Sequence, residues 1–271
     1  MKIYKKKKIL IKEISGIKNI AFVPTMGAIH KGHLSLIKKA KKESKNILVT
    51  IYVNPKQFNL NSDFKKYPRN IKNDIALLKK AKVKYLYLPS YEDIYLFKTK
   101  SHIYLDKFSK TLCGAFRPGH FKGVLNIVNR FIEIIKPSSI FLGFKDFQQL
   151  ALIKLHIKKN KIAIKIVECP TVRQKNGLAL SSRNIGLSKD QIKVTEKVYK
   201  YLKNNKKKIL SKILKNKKLE ILSKIMSLGV KKIDYLKFVN LEVLKEPKKM
   251  KEKSNLFIAY YAGNVRLIDN L

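Results

Sequence analysis

The chain has 271 residues, and 61 Lys plus Arg against 18 Asp plus Glu give it a formal charge of +43. With 45% of its residues hydrophobic it has ample material for a core, which excludes a wholly disordered chain, and its length suits one large domain or two smaller ones. Two cysteines, far apart, exclude a disulfide framework and a cysteine-rich zinc site and point to a reducing compartment.

The N-terminus is basic, but its apolar run is only Ile9 to Ile11, too short for a signal peptide. No later segment approaches the roughly 18 apolar residues of a membrane span, so a cytoplasmic location is expected. Ile20–Val23 reads as a strand and residues 33–45 as a helix, with Leu34, Ile37 and Ala40 at helical spacing. Ile47–Val53 is a β-branched strand bounded by Asn54-Pro55. A helix over 70–81 and a strand over 85–88 follow. Then come a helix over 122–135, a strand over 140–142, a helix over 148–159 and a strand over 161–167. Strands alternating with helices predict βαβ units and a parallel sheet, with ligands at the carboxyl ends of the strands. Past Arg183-Asn184 the character changes. Residues 189–229 form Lys-rich amphipathic helices, and strands are expected over 235–239, 256–261 and 264–268. The pattern predicts a first domain over 1–175 and a smaller α+β domain over 176–271.

Five segments carry chemistry. In FVPTMGAIHKGHLSLI (22–37) a strand enters a Gly27/Gly32 turn and a helix begins near His33. A helix start with free backbone amides suits a phosphate, and imidazoles at His30 and His33 can donate to oxygens whose charge rises in a transition state. Zinc would need a third ligand, and none is near. In IYVNPKQF (51–58) the amides of Asn54 and Gln57 sit at a strand end, where they can hold a carboxylate by hydrogen bonds and leave it nucleophilic. DFKKYPRN supplies Asp63, Tyr67 and Arg69 in a connecting loop. LCGAFRPGHFKGV (112–124) offers Arg117 and His120 between glycines, while Cys113 and Cys169 read as buried apolar residues. In FLGFKDFQQL (141–150) Lys145, Asp146 and Gln149 follow the strand-ending Gly143, and Lys145 can neutralise phosphate charge. GLALSSRN (177–184) places Ser181, Ser182 and Arg183 in a segment able to close over a triphosphate.

In their order these segments resemble the pantoate–β-alanine ligase family, and the resemblance covers most of the chain: PTMGAIHKGH, YVNPKQF, YPR, LCGAFRPGHFKGV, GFKDFQQL, GLALSSRN and AGNVRLIDN. It implies a Rossmann-like parallel-sheet nucleotidylyltransferase domain, a smaller α+β C-terminal domain and a homodimer. It also implies a two-step reaction, in which pantoate attacks the α-phosphate of Mg-ATP to give pantoyl adenylate and β-alanine then displaces AMP. Carried over by motif, Met26, Gly27, Ala28, Ile29, His30, Lys31, Gly32 and His33 line the ATP site. Gly143, Phe144, Lys145, Asp146, Val172, Leu180, Ser181, Ser182 and Arg183 complete it. His33, His30, Lys145 and Arg183 stabilise transferred charge, with His33 in the proton-donor role. Gln57 and Gln149 grip pantoate, Gln57 also lying near β-alanine, with Asn54, Arg117 and His120 as further substrate contacts. Phe144 and Lys31 stand where the family has acidic residues, and NIKNDIALL leaves Asp74 as the one weak Mg2+ ligand, so Mg2+ is held chiefly by the ATP phosphates.

The charge admits a second reading as a nucleic-acid-binding protein. Against it, the chain has 55 Lys but 6 Arg, and 33 Ile but 11 Ala. Such a pattern fits codons rich in A and T, whereas a dedicated phosphate surface would favour the bidentate Arg fork. A class I aminoacyl-tRNA synthetase shares the His turn, yet no anticodon-binding domain is evident. The expectation is therefore no specific nucleic acid and no membrane as partner, only pantoate, β-alanine and ATP.

Overall fold

A computed structural model describes residues 1–271. The chain divides into two compact units, Met1–Thr171 and Val172–Leu271; the second begins a few residues before the expected 176.

The first unit is built on a six-stranded sheet in the order β1-β4-β3-β2-β5-β6. Its strands are β1 (Lys2–Tyr4), β2 (Ile20–Thr25), β3 (Asn46–Ile51), β4 (Tyr85–Tyr87), β5 (Ser139–Gly143) and β6 (Lys165–Cys169). Every pairing is parallel. The helices are α1 (Lys7–Ile14), α2 (Lys31–Glu43), α3 (Asn61–Lys66), α4 (Ile71–Lys80), α5 (Tyr91–Tyr95), α6 (Leu112–Phe116), α7 (His120–Ile135) and α8 (Phe147–Lys159). Strand β2 is buried at Ile20, Ala21, Phe22 and Val23, as a central parallel strand covered on both faces must be. From β2 the chain winds outward through β3 to β4, then returns to place β5 on the other side. The order therefore reverses between β2 and β5, where an open α/β sheet forms its ligand crevice. The β2–β5 register runs only through Ala21↔Ser139 and Phe22↔Ile140. It stops short of Pro24, which has no N–H to give a ladder. Phe22, Tyr52 and Tyr87 all set their rings edge-on to Phe131 of α7, closing the core on one face.

Two expectations shift here. The strand foreseen over 161–167 starts at Lys165, because Ile162 N–H still bonds back to Ile157 O and Lys161 adopts a left-handed φ of 51° at the end of α8. The N-terminal segment, read only for targeting signals, forms β1 and α1; β1 pairs with β4 and with no other strand.

The second unit holds α9 (Lys189–Leu214), α10 (Lys218–Met226) and an antiparallel sheet β7-β8-β9, with β7 at Lys232–Val239, β8 at Asn255–Ala262 and β9 at Val265–Asn270. Val198, Leu202 and Ile209 of α9 share a core with Ile221 and Ile225 of α10 and with Leu236, Leu256 and Ile258 of the sheet. Gly263 turns the β8–β9 hairpin at φ 58°. A Cβ there would come within 2.1 Å of Gln191 Nε2. Arg173 closes the unit's N-terminal segment onto β9 through a bidentate pair with Asp269 at 2.6 and 2.8 Å. No helix in either unit is long and apolar enough to cross a membrane.

Candidate active site

The centre of the site is the turn between β2 and α2. His30 is the N-cap of α2, and its Nδ1 accepts the N–H of Gly32 at 3.1 Å. His33, three residues on, returns the bond: its Nδ1 accepts the N–H of His30 at 3.4 Å. This is a capping box built from two imidazoles in place of the usual hydroxyl and carboxamide. An Nδ1 that accepts cannot carry the ring proton, so in the neutral rings the hydrogen bonds place both protons on Nε2. The two rings lie 4.1 Å apart, centroid to centroid.

Both rings are held neutral. Burial, and then the nearby Lys145 ammonium, push His30 down to about 4, with Asp146 opposing. Burial pushes His33 to about 3, assisted by its neighbour His30. His33 as a whole residue is half-buried, and the crowded surroundings of its ring disfavour its charge. The pair therefore offers two uncharged N–H donors. Lys145 adds a cation from the turn after β5; its ammonium lies 3.3 Å from Asp146 Oδ1 and is mostly shielded.

Several backbone amides of this turn are already bonded within the chain. Gly27 N–H is taken by Thr25 Oγ1 at 3.2 Å, and those of Ala28 and Ile29 by the two oxygens of Asp74 at 2.9 and 2.7 Å. Those of His30 and Gly32 go to the imidazoles. Of these groups, the ring Nε2–H donors are the ones left without a bond inside the turn. Asp74 is 1% exposed, and each of its oxygens accepts a backbone N–H; no three His, Cys, Asp or Glu side chains gather anywhere in the chain.

The second wall is the short helical turn Pro55–Gln57 after β3. Gln57 Nε2 reaches Met26 Sδ at 2.8 Å, so this amide faces the β2–α2 turn. Its Oε1 is held by Asn54 Nδ2 at 3.2 Å. Asn54, expected to touch substrate, is fully buried and saturated. Its Nδ2 also donates to Gly123 O at 3.1 Å, and its Oδ1 accepts from Lys56 N at 3.2 Å and Tyr95 OH at 2.8 Å. A carboxamide with four partners has no remaining donor or lone pair for a ligand; Asn54 sets Gln57 instead.

Arg117 and His120 likewise act on Gln57. His120 Nδ1 donates to Gln57 O at 2.6 Å, because a carbonyl can only accept, and its Nε2 then accepts from Arg117 Nη1 at 3.3 Å. Arg117 also reaches Gln57 O at 3.5 Å and pairs with Asp63 at 3.7 Å. Helix α7 presses directly on this turn at Gly123, where a Cβ would stand 2.1 Å from Lys56 O. Phe58 packs edge-on against Phe64 and Tyr67, while Arg69 caps the carbonyls of Phe64, Lys65 and Tyr67. Gln149 sits in the first turn of α8, partly exposed, next to Gln148, whose amide is spent on Phe108 O and Thr111 O. Cys113 and Cys169 are buried and form no disulfide.

Val172 and Leu180–Arg183 belong to the second unit, where Ser181 Oγ accepts Arg183 N–H at 3.3 Å and opens a short helical turn over Ser182–Gly186. Sequence reading passed over Thr25, Tyr95 and Gly123. Only the glycine carried a signal, as a residue without Cβ in a helical pattern where backbone comes close.

The family model for pantoate–β-alanine ligase matches residues 2–271. A pantothenate synthetase of Sulfurihydrogenibium sp. is 41% identical over 257 residues, covering 94% of this chain and 92% of that one. Among solved structures, a pantoate–β-alanine ligase of Francisella tularensis, complexed with beta-gamma ATP and β-alanine, is 38% identical with a TM-score of 0.86. It is matched over 97% of its length and 100% of this chain. The pantothenate synthetase of Thermus thermophilus reaches a TM-score of 0.89 at 30% identity, over 99% of its length and 100% of this chain.

Proposed function

The chain belongs to the pantoate–β-alanine ligase family, and we propose the following account of how its residues perform the ligation. The enzyme joins pantoate to β-alanine in an ATP-dependent reaction that forms pantothenate. In the first step a pantoate carboxylate oxygen bonds to the α-phosphorus, the bond to the β-phosphate bridge breaks and pyrophosphate leaves. In the second the β-alanine amine attacks the acyl carbon of pantoyl adenylate, AMP departs with the bonding pair, and the amine loses its proton to solvent.

The observation that carries this reading is the pair of neutral imidazoles with Nδ1 turned to backbone and the N–H on Nε2. Neutral donors strengthen their hold as charge gathers on phosphate oxygens, with no proton to be moved first. Lys145 supplies the positive charge that pyrophosphate release requires. Gln57, with its oxygen held by Asn54, offers an amide donor to pantoate. A carboxylate held by amides keeps more of its nucleophilicity than one locked in an ion pair. Alignment of that oxygen with phosphorus supplies the remaining large share of the rate. Gln149, and Ser181, Ser182 and Arg183 of the second unit, receive pantoate and ATP roles from motif resemblance alone, as does the homodimer.

Mg2+ enters as Mg-ATP. The ATP phosphates would bear the ion chiefly, since each oxygen of Asp74 already accepts a backbone N–H. The test is pantoate-dependent ATP–pyrophosphate exchange in the absence of β-alanine. Exchange that proceeds equally well without pantoate would overturn the assignment.

A further inference from the structure

Asp74 has a setting that the weak Mg2+ contact implied by the family resemblance does not explain. It projects from the first turns of α4, a helix capped independently by Asn70, whose side chain accepts the N–H of Asn73 at 3.1 Å. Its carboxylate is buried and receives two consecutive backbone N–H groups, from Ala28 and Ile29. The chain makes those amides converge by taking two consecutive left-handed residues, Gly27 at φ 82° and Ala28 at φ 49°. For glycine this conformation is free of Cβ strain, but for alanine it costs about 1–2 kcal/mol. Successive amides turned inward in this way form a concavity that attracts an anion, and here the protein's own carboxylate fills it. The fit is close: a Cβ on Gly27 would stand 3.0 Å from Asp74 Oδ2.

We propose that Asp74 is a positioning residue for the imidazole pair: by filling the concavity of residues 27–29 it fixes the backbone path into His30 and so aims both Nε2–H donors. The proposal rests on the reading of His30 and His33 as phosphate donors. The dependence follows from connectivity. Each ring takes its orientation from an amide within the turn, that of Gly32 for His30 and that of His30 for His33. The amide immediately before His30 is the one Asp74 grips most tightly. A charge-assisted bond to each oxygen is stronger than a neutral one, enough to hold Ala28 in its disfavoured conformation. The carboxylate also bars a phosphate from the backbone concavity, so substrate phosphate meets the rings.

The test is Asp74→Asn in the full chain, which turns one acceptor into an N–H donor facing a backbone N–H. The exchange kcat is expected to fall at least tenfold, while the pantoate KM moves less than threefold. Ring nitrogen spectra of 15N-histidine-labelled protein should lose the single Nε2–H tautomer. In the Ala28→Gly background, where the left-handed turn is no longer strained, the same substitution should cost at least threefold less in kcat. Unchanged kcat, unchanged ring tautomers, or an equal loss in both backgrounds would overturn the proposal and leave Asp74 a purely structural residue. If Asp74→Asn does not fold, Gly27→Ala, which presses on Oδ2 from the other side, is read by the same spectra and rates. A wild-type exchange rate in His33→Ala would instead remove the reading of the rings as donors, and the spectra of Asp74→Asn would still decide the clamp.

Discussion

The two nitrogens of His33 do different work, and substitution can separate them. Nδ1 caps α2 by accepting His30 N–H, and in the proposed reading Nε2–H is the donor offered to substrate. His33→Ala removes both. Loss of the cap should lower stability by about 1 kcal/mol, a shift of roughly 2–4 °C in the melting of a unit this size. Loss of one donor to developing charge should slow exchange by about 10²–10³, or roughly 3–4 kcal/mol. His33→Asn divides the two effects, because Oδ1 lies where Nδ1 lay and can still take the His30 amide while nothing replaces Nε2. Its melting temperature should match the wild type, yet its exchange should be as slow as that of the alanine variant. His33→Gln carries an amide donor out to the position of Nε2 and should recover part of the rate, at least about tenfold over asparagine. The assays are pantoate-dependent ATP–pyrophosphate exchange and thermal denaturation on the same preparations. Near-normal exchange by His33→Asn would mean that the ring is a cap only, and the argument from its tautomer would fall.

Three further expectations follow from the geometry. Gln57→Ala should raise the pantoate KM about 10- to 100-fold, the worth of one hydrogen bond to a charged group, and leave the ATP KM nearly unchanged; an unaltered pantoate saturation curve would refute it. Gly123→Ala forces a Cβ toward Lys56 O, at 2.1 Å, and Gln57 N, at 2.8 Å. It should destabilise the protein by about 2–3 kcal/mol and weaken pantoate use together, and a wild-type melting curve with wild-type kinetics would count against it. For pH, the folded values of His30 and His33 lie below the ordinary 6.5 of a free ring. The stability they contribute is thus complete above about pH 6.5 and is lost as pH falls toward about 4 and then 3, because the unfolded chain takes up those protons first. His156, buried and likewise shifted down, acts in the same direction. An NMR titration of the ring protons should therefore show no midpoint near 6.5 for His30 or His33.

The sheet was legible because its central strands are apolar on both faces and its helices are amphipathic, so each segment carries its own signal. The histidine turn was legible as chemistry because glycines and imidazoles at a strand–helix junction have few other uses. What stayed hidden depends on partners distant in sequence. The sequence NIKNDIALL shows a helix, but only the fold shows that Asp74 faces residues 28 and 29, some 45 positions away. The reach of Tyr95 OH to Asn54 spans 41 positions and leaves no periodic trace. Asn54 was misread for the same reason: an amide at a strand end looks available until its four partners are counted. The strand after α8 starts later than its composition suggests because Lys161 and Ile162 close the helix by hydrogen bonds to Lys158 O and Ile157 O.

The charge that opened the question can be judged by what its two cation types do. Arg69 donates to three carbonyls, and Arg130 to Ile94 O and Phe97 O while its guanidinium lies over the rings of Tyr95 and Phe97. Arg173 holds both oxygens of Asp269, Gly177 O and Asn270 O, and Arg266 Nε holds the buried Asp234. Arg117 bridges Asp63, His120 and Gln57. Each is a task for a planar fork with several N–H groups, which an ammonium cannot perform. The lysine pairs have another character. Lys2–Glu13, Lys193–Asp190 and Lys200–Glu196 are single contacts with the lysine side chain 65–72% exposed, and solvent screening leaves such pairs little weight in stability. These arginines sit where geometry requires a planar fork, and these three lysines where any solvated cation serves, whereas Lys145 is mostly shielded. Much of the excess of +43 comes from exposed lysines of the solvated kind. If that charge steers ATP and pantoate to the site, pantoate-dependent second-order rates should fall with added salt, and a flat dependence would leave the charge as compositional background.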